Sequence, residues 1–474
     1  MIFFFLLFLA LPFSLWAGTY TGSAHGNSSS GVNRDSIQTL GYSVGNCAHC
    51  HEMHASIGGT EPSPVGAGPS PLALFALEEK LCFYCHGAVS NNVPSLSRDI
   101  ETQFNKSYRH PVERSGRHTV SKLEGASSFG ASNRHAECAD CHNPHTIGYP
   151  GTAYHQYNTT NPANNNLVSN LLKGVWGVEP IWPSSAWTVP TSFNELRPTT
   201  ANPAGGAIKE YQVCLKCHSY YAFGSAENTS TGVTTITNAT SEYYLTDQAL
   251  EFAPANKSGH PVVVTLNNRS GSDSPRALVA SSRGARVKSP WTQAVGDQTM
   301  WCSDCHGDDA STGPEGPHAS NTKYMLADGY TWPIRPDTGK FWTLADVFND
   351  QGNWQTKLLC AKCHPLKVNG RFLNNVHDKD DHYNENYTFG TVSYPGAPCV
   401  ACHVAVPHGS KRGRLIAYNS DPEPYAALQS DGTKMAVLEG YRKASDPDSY
   451  NKRNCYSTIN PCRYHKNYQG PYDP

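Results

Sequence analysis

Residues 47–54 read Cys47-Ala48-His49-Cys50-His51-Glu52-Met53-His54, and the first five of them state a pattern that the chain repeats: two cysteines three apart with a histidine directly after the second. The pattern returns as CFYCH (Cys82, Cys85, His86), CADCH (Cys138, Cys141, His142), CLKCH (Cys214, Cys217, His218), CSDCH (Cys302, Cys305, His306), CAKCH (Cys360, Cys363, His364) and CVACH (Cys399, Cys402, His403). Seven copies consume fourteen of the sixteen cysteines. Independent draws from this composition would give about 0.02 copies in the whole chain, so chance does not explain them.

The spacing has a chemical reason. On a helical turn, positions i, i+3 and i+4 share one face, so both thiols can reach the vinyl groups of one porphyrin while the adjacent histidine reaches the iron. This is the attachment pattern of c-type haem, and it predicts seven covalently bound haems. Paired zinc sites do not require a histidine after every second cysteine, and a disulfide framework does not arrange its cysteines in seven identical units.

Seven irons need seven further ligands to become six-coordinate. Fourteen histidines lie outside the motifs, against only Met53, Met300, Met325 and Met435 downstream of the leader, so bis-His coordination and low reduction potentials are expected. His54 and His145 each stand three residues after a motif histidine and would project toward a neighbouring haem. His110 and His260 open HPV tripeptides, in which Pro stiffens an extended segment, while Pro precedes His318 in GPHAS and His408 in VPHGS. His377, His382 and His135 compete for the seventh place, with His377 preferred. His25, His49, His118, His155 and His465 read as ordinary surface histidines.

These residues resemble the multihaem c-type cytochromes with doubled CxxCH motifs, which include outer-surface and nanowire-forming cytochromes of metal-reducing bacteria. CAHCHEMHASIGG leading to LCFYCH, with HPV following at His110, carries the resemblance, and CADCHNPH through VCLKCH to His260 repeats it more loosely. It covers residues 47–142 and 211–408. It implies that the second histidine of CHEMH and CHNPH and the histidine of HPV are distal ligands. Filament-forming members pass one distal histidine to the next subunit, which makes His54 the expected donor for self-association, with an end-to-end filament as one outcome. Other redox proteins or extracellular acceptors are the remaining partners implied.

Composition sets the surroundings. With 37 basic against 39 acidic side chains, the formal charge is −2; fourteen haem propionates take it to −16, and seven ferric irons return it to −9. Such a holoprotein suits a cationic partner or metal ions better than nucleic acid. Ile2 to Phe13 is an apolar run without an acidic or basic residue before Arg34, too short to span a bilayer and suited to a signal peptide ending near Ala17. Export to the cell exterior or outer surface is expected, with the periplasm as the alternative and no transmembrane segment in the mature protein. Cys455 and Cys462 lack the following histidine and are expected to form a disulfide.

The 40 glycines and 33 prolines predict a mostly irregular fold with short α-helices and few short strands, organised around a chain of seven haems. First-cysteine spacings of 35, 56, 76, 88, 58 and 39 residues exclude a regular solenoid. After the leader at 1–17, a four-haem region is expected over 18–266 with a haem-free insertion near 146–210. A basic, linker-like segment follows at 267–290, then a three-haem region at 291–410 and a haem-free tail at 411–474. Ser70-Pro71 predicts a helix running into CFYCH, with Leu72, Phe75 and Leu81 as haem-packing core, and Thr343 with Asp346 predicts a capping box ahead of CAKCH.

Function divides two ways. A carrier passing single electrons along bis-His haems is the leading expectation, not an enzyme and with no catalytic residues. A nitrite, hydroxylamine or sulfur-oxyanion reductase with one open haem is the alternative. Mass spectrometry of tryptic peptides from protein matured with cytochrome c assembly factors should find one tetrapyrrole on each of the seven motif peptides, and bare motif cysteines would overturn the attachment reading.

Overall fold

The computed structural model describes residues 20–34, 41–51, 73–75, 77–87, 99–112, 135–148, 166–199, 201–237, 242–266, 287–292, 295–314, 316–368, 371–372 and 380–438. Among these, secondary structure is sparse. The longest helix is Glu78–His86, and the strands form six two-stranded antiparallel sheets. No described helix is long and apolar enough to cross a membrane.

Glu78–His86 begins later than the sequence suggests. Ala73–Phe75 lie outside any helix, and Leu77 stands extended at the N-cap, with no side chain to cap the first turn. Two acids, Glu78 and Glu79, meet the helix N-terminus instead. Ser70, Pro71 and Leu72 lie outside the described residues. Phe75 and Leu81 are only partly buried, and Phe75 packs its ring on Tyr84 at 5.4 Å. The capping box at Thr343 is formed: Thr343 Oγ1 accepts from Asp346 N at 3.2 Å, and Asp346 Oδ2 accepts from Thr343 N at 2.8 Å. The helix it starts, Leu344–Phe348, ends well before the motif, which has its own turn, Cys360–Cys363.

The largest apolar cluster surrounds that box. Trp332, Phe341, Trp342, Val347, Trp354 and Tyr387 pack there, with Trp342 fully buried and its indole N–H on Thr331 Oγ1 at 3.1 Å. A second cluster gathers Val178, Tyr211, Leu215, Trp291 and Met300. Tryptophan indoles bury large apolar area with a single donor to satisfy, which suits a chain short of regular backbone pairing.

Two tiny sheets tie distant segments together. Tyr108–Arg109 pairs with Ala319–Ser320, and Ser258–Gly259 with Gly409–Ser410. The four-motif and three-motif regions thus meet in shared sheets. Lys288, at the end of the basic segment, is also pinned: its N–H donates to Cys363 O and its Nζ to Ala361 O. Residues 267–286 lie outside the described residues.

The stretch after residue 166, which carries no CxxCH motif until Cys214, is structural core. Val168, Val175 and Val178 are buried, Gly177–Pro180 pairs with Phe193–Leu196, and Leu167 O accepts the Trp301 indole N–H at 2.9 Å. The described part of the tail wraps the seventh motif: Ala417 N donates to Cys402 O, Val437 N to Ala401 O, and Arg412 forms a buried fork on Asp421. Cys455 and Cys462 lie outside the described residues.

Three acids share one buried site. Asp247 caps the turn Gln248–Glu251, while Glu227 and Glu251 adjoin it under Tyr425. Burial and the neighbouring Asp247 push the Glu227 carboxyl up to about 9. A carboxyl raised in the folded state contributes stability that is fully present below its unfolded pKa and lost as pH climbs toward the folded value. Glu227→Gln should therefore raise the melting temperature at pH 8 and leave it nearly unchanged at pH 5, checked by thermal denaturation at both.

Candidate functional site

All seven motifs fall among the described residues, and their fourteen cysteines form no disulfides with one another. Most begin as a single turn, as in Cys138–Cys141, Cys360–Cys363 and the tighter Cys47–His49, Cys302–Asp304 and Cys399–Ala401. In six motifs the histidine N–H donates to the carbonyl of the first cysteine, the i to i+4 closure that puts both thiols and the imidazole on one side, and CFYCH lies within the helix Glu78–His86.

Consecutive motifs are neighbours in space. Cys50 lies within electrostatic reach of Cys85, Cys141 of Cys214, and Cys305 of Cys360. Between these couples, Cys82 meets Cys138, Cys214 meets Cys302, and Cys399 faces Cys360. The seven motifs therefore run in one file in sequence order. Couples two and three share a further tie: Lys216 Nζ donates to Asp140 O and Lys362 Nζ to Asp304 O, both at 2.5 Å. Carboxylates link successive couples. Glu78 Oε1 accepts from Ala139 N at 2.6 Å, and Glu210 accepts from Ser303 N at 3.0 Å.

The decisive geometry lies in the histidines. Five motif histidines each face a histidine from elsewhere in the chain: His51 faces His145 with ring centres 5.9 Å apart, His86 faces His25 at 6.1 Å, His142 faces His318 at 6.0 Å, His218 faces His110 at 6.2 Å and His306 faces His408 at 6.0 Å. Rings at that distance are too far apart to stack in van der Waals contact. With metal–nitrogen bonds of about 2 Å and roughly 1.1 Å from ring nitrogen to ring centre, two imidazoles on opposite sides of one metal have centres about 6 Å apart. The arrangement can hold a metal between each pair, with two thiols alongside.

Backbone carbonyls fix the rings. His142 Nδ1 bonds Leu171 O at 3.0 Å, His306 Nδ1 bonds Tyr324 O at 2.8 Å, and His403 Nδ1 bonds Arg414 O at 3.1 Å. In His142 and His306, with Nδ1 so engaged, Nε2 is the nitrogen for the facing side. Tyr324 and Arg414 sit in left-handed backbone, φ 65° and 62°, as do Met325 and Leu415 after them. Each such residue costs about 1–3 kcal/mol, a strain found where a backbone group must be aimed.

Three Pro-His dipeptides organise the pairs. His145, His318 and His408 face motif histidines, while the preceding carbonyls, Pro144, Pro317 and Pro407, accept from His25, His110 and His260. Two of these three, His25 and His110, themselves face motif histidines.

Burial lowers the pKa of His25, His51, His110, His142 and His145, takes His306 down to about 4 and His318 down to about 3. These rings are neutral at physiological pH, the form that binds a metal. Burial pushes thiols the other way, Cys50 and Cys360 to about 11 and Cys402 to about 12. Neutral thiols are poor metal ligands. Glu78, Cys82 and Cys138 place ligand atoms within 4.8 Å of one another, but the Cys82 thiol is raised well above its usual range, first by Cys138.

Two sequence expectations are corrected. His25 is no lone surface residue; it is half-buried, bonded to Pro144 O at 3.0 Å and opposite His86. His49 is buried, its Nε2 on Ser43 O and its Nδ1 accepting from Arg34 N, so neither ring nitrogen is left for a metal. Nothing local marks His25 in the sequence, since its role is set by a carbonyl 119 residues away. His54, His377, His118, His155 and His465 lie outside the described residues. His135 is buried and His382 partly buried. Compared with family models, with curated proteins and with solved structures, the chain finds no match.

Proposed function

We propose that this chain is an exported, seven-haem c-type electron carrier, in the manner of the multihaem cytochromes its motifs resemble. The observation that carries the reading is the set of five histidine pairs at 5.9–6.2 Å, each with a motif histidine on one side. Haem bound there would supply one-electron exchange between ferric and ferrous iron at low potential.

The chain's own residues do the rest. Motif cysteines tether in sequence order, motif histidines supply one axial nitrogen, and His145, His25, His318, His110 and His408 supply the other to the first five sites. The threefold Pro-His pattern assigns His260, held by Pro407 O at 2.6 Å, to His364. His403 draws on His377, His382 or His135. Full bis-imidazole coordination leaves no open site for substrate, which favours a carrier over a nitrite, hydroxylamine or sulfur-oxyanion reductase. Delivery to a cationic redox partner or an extracellular acceptor follows from the acidic holoprotein. Self-association, up to an end-to-end filament, rests on His54.

Two measurements test the reading. The reduced holoprotein should show a low-spin spectrum that carbon monoxide does not change, and a carbon monoxide adduct at one centre would favour the reductase. His25→Ala should make one centre in seven high-spin and open to carbon monoxide, whereas His49→Ala should leave the spectrum as it is; equal behaviour of the two variants would remove the assignment of His25.

A further inference from the structure

The Pro317-His318 and Pro407-His408 loops are structural twins. Each follows the same course: a strand pair with the HPV segment, a serine hydroxyl accepting two residues on and donating six residues on (Ser320 to Leu326 O, Ser410 to Ile416 O, both 3.0 Å), and a left-handed turn that orients a motif histidine. The outer nitrogens of the two histidines nevertheless meet different surroundings. His318 Nδ1 is buried and has no hydrogen-bond partner among the described residues. His408 Nδ1 donates to Glu251 Oε2 at 2.5 Å.

Glu251 is fully buried, at 0% exposure. It ends the turn Gln248–Glu251, its carbonyl accepts from Asn256 Nδ2 at 2.9 Å, and the Phe252 ring covers His408 at 4.9 Å. The ionisable groups around it are His408, Asp247, Glu227 and Tyr425. Burial favours the neutral forms of Glu227 and Tyr425, and none of the acids here can supply a compensating positive charge. A buried carboxylate on the outer N–H of a metal-bound imidazole makes that ligand more basic and favours the more positive state of the metal, and low dielectric strengthens the effect.

We infer that Glu251 is a positioning residue that sets the reduction potential of the His306/His408 centre below that of its twin, the His142/His318 centre. The inference rests on the haem reading above and adds a gradient to it: two centres built alike differ because one distal imidazole leans on a carboxylate.

Centre-resolved redox titration by NMR, with spectropotentiometry, tests this on the holoprotein. Wild type should show the two centres at different potentials, His306/His408 lower. Glu251→Gln, which keeps size and removes charge, should raise that one component by about 59 mV, a tenfold change in a one-electron equilibrium, and shift its near-infrared ligand-to-metal band. Glu251→Asp should restore most of the difference. Equal potentials for the twins in wild type overturn the inference whether or not the variants fold, as does a fully loaded Glu251→Gln protein with wild-type potentials. A purified protein lacking covalent haem or low-spin bis-imidazole spectra would instead overturn the underlying reading, before any titration.

Discussion

Histidine rings held in opposed pairs with centres about 6 Å apart are the constraint on which the remaining structure depends. Each pair joins segments far apart in sequence, and each ring must be aimed to within a fraction of an ångström for two nitrogens to share one metal. A chain with long helices could do this from rigid scaffolds. This chain uses hydrogen bonds from ring nitrogens to backbone carbonyls, placed by two-residue strand pairs and left-handed turns. The sparse secondary structure is therefore compatible with a well-defined site: precision comes from side chain to backbone bonds, which need only local rigidity.

The repeat is one of connection. Two of the three Pro-His dipeptides, at 144–145 and 317–318, serve two pairs at once, the histidine facing one motif histidine and the proline carbonyl steering a histidine that faces another. Couples of motifs are thereby locked together, and the carboxylates of Glu78 and Glu210 lock one couple to the next. Displacing either of those loops would misalign two histidine pairs, so coupling between neighbours is built into the support as well as into the spacing.

Much of this was legible in the sequence, for reasons that can be named. The seven motifs are local, so their turns and the shared side of their cysteines and histidines follow from spacing alone. His110, His145, His260, His318 and His408 were marked by a neighbouring proline or by their distance from a motif. The capping box at Thr343 is likewise a four-residue signal. His25 was not legible, because its aim is set by Pro144 and its opposite number is His86, neither of which leaves a trace in Ser-Ala-His-Gly. The helix starts at Glu78, where two acids meet its N-terminus, later than the Ser-Pro signal suggests. The stretch after residue 166 lacks motifs and so reads as an insertion, although its carbonyls at Leu167 and Leu171 support Trp301 and His142.

Seven is three couples and one more, and the supporting structure follows that arithmetic. Pro-His occurs three times in the chain, at residues 144–145, 317–318 and 407–408, and each histidine faces the first motif histidine of one couple. The seventh motif receives only the second half of the device: Arg414 O orients His403, as Tyr324 O orients His306, but no fourth Pro-His exists to face it. Its surroundings are supplied instead by the tail, through Ala417, Val437 and the buried Arg412–Asp421 fork. A motif framed by different elements meets different packing and charge from the five whose histidines stand in opposed pairs. The last motif is thus set apart by what surrounds its histidine, as the Glu251 carboxylate on His408 sets apart the His306 pair, and both departures lie in the imidazole environment while the CxxCH turn stays the same.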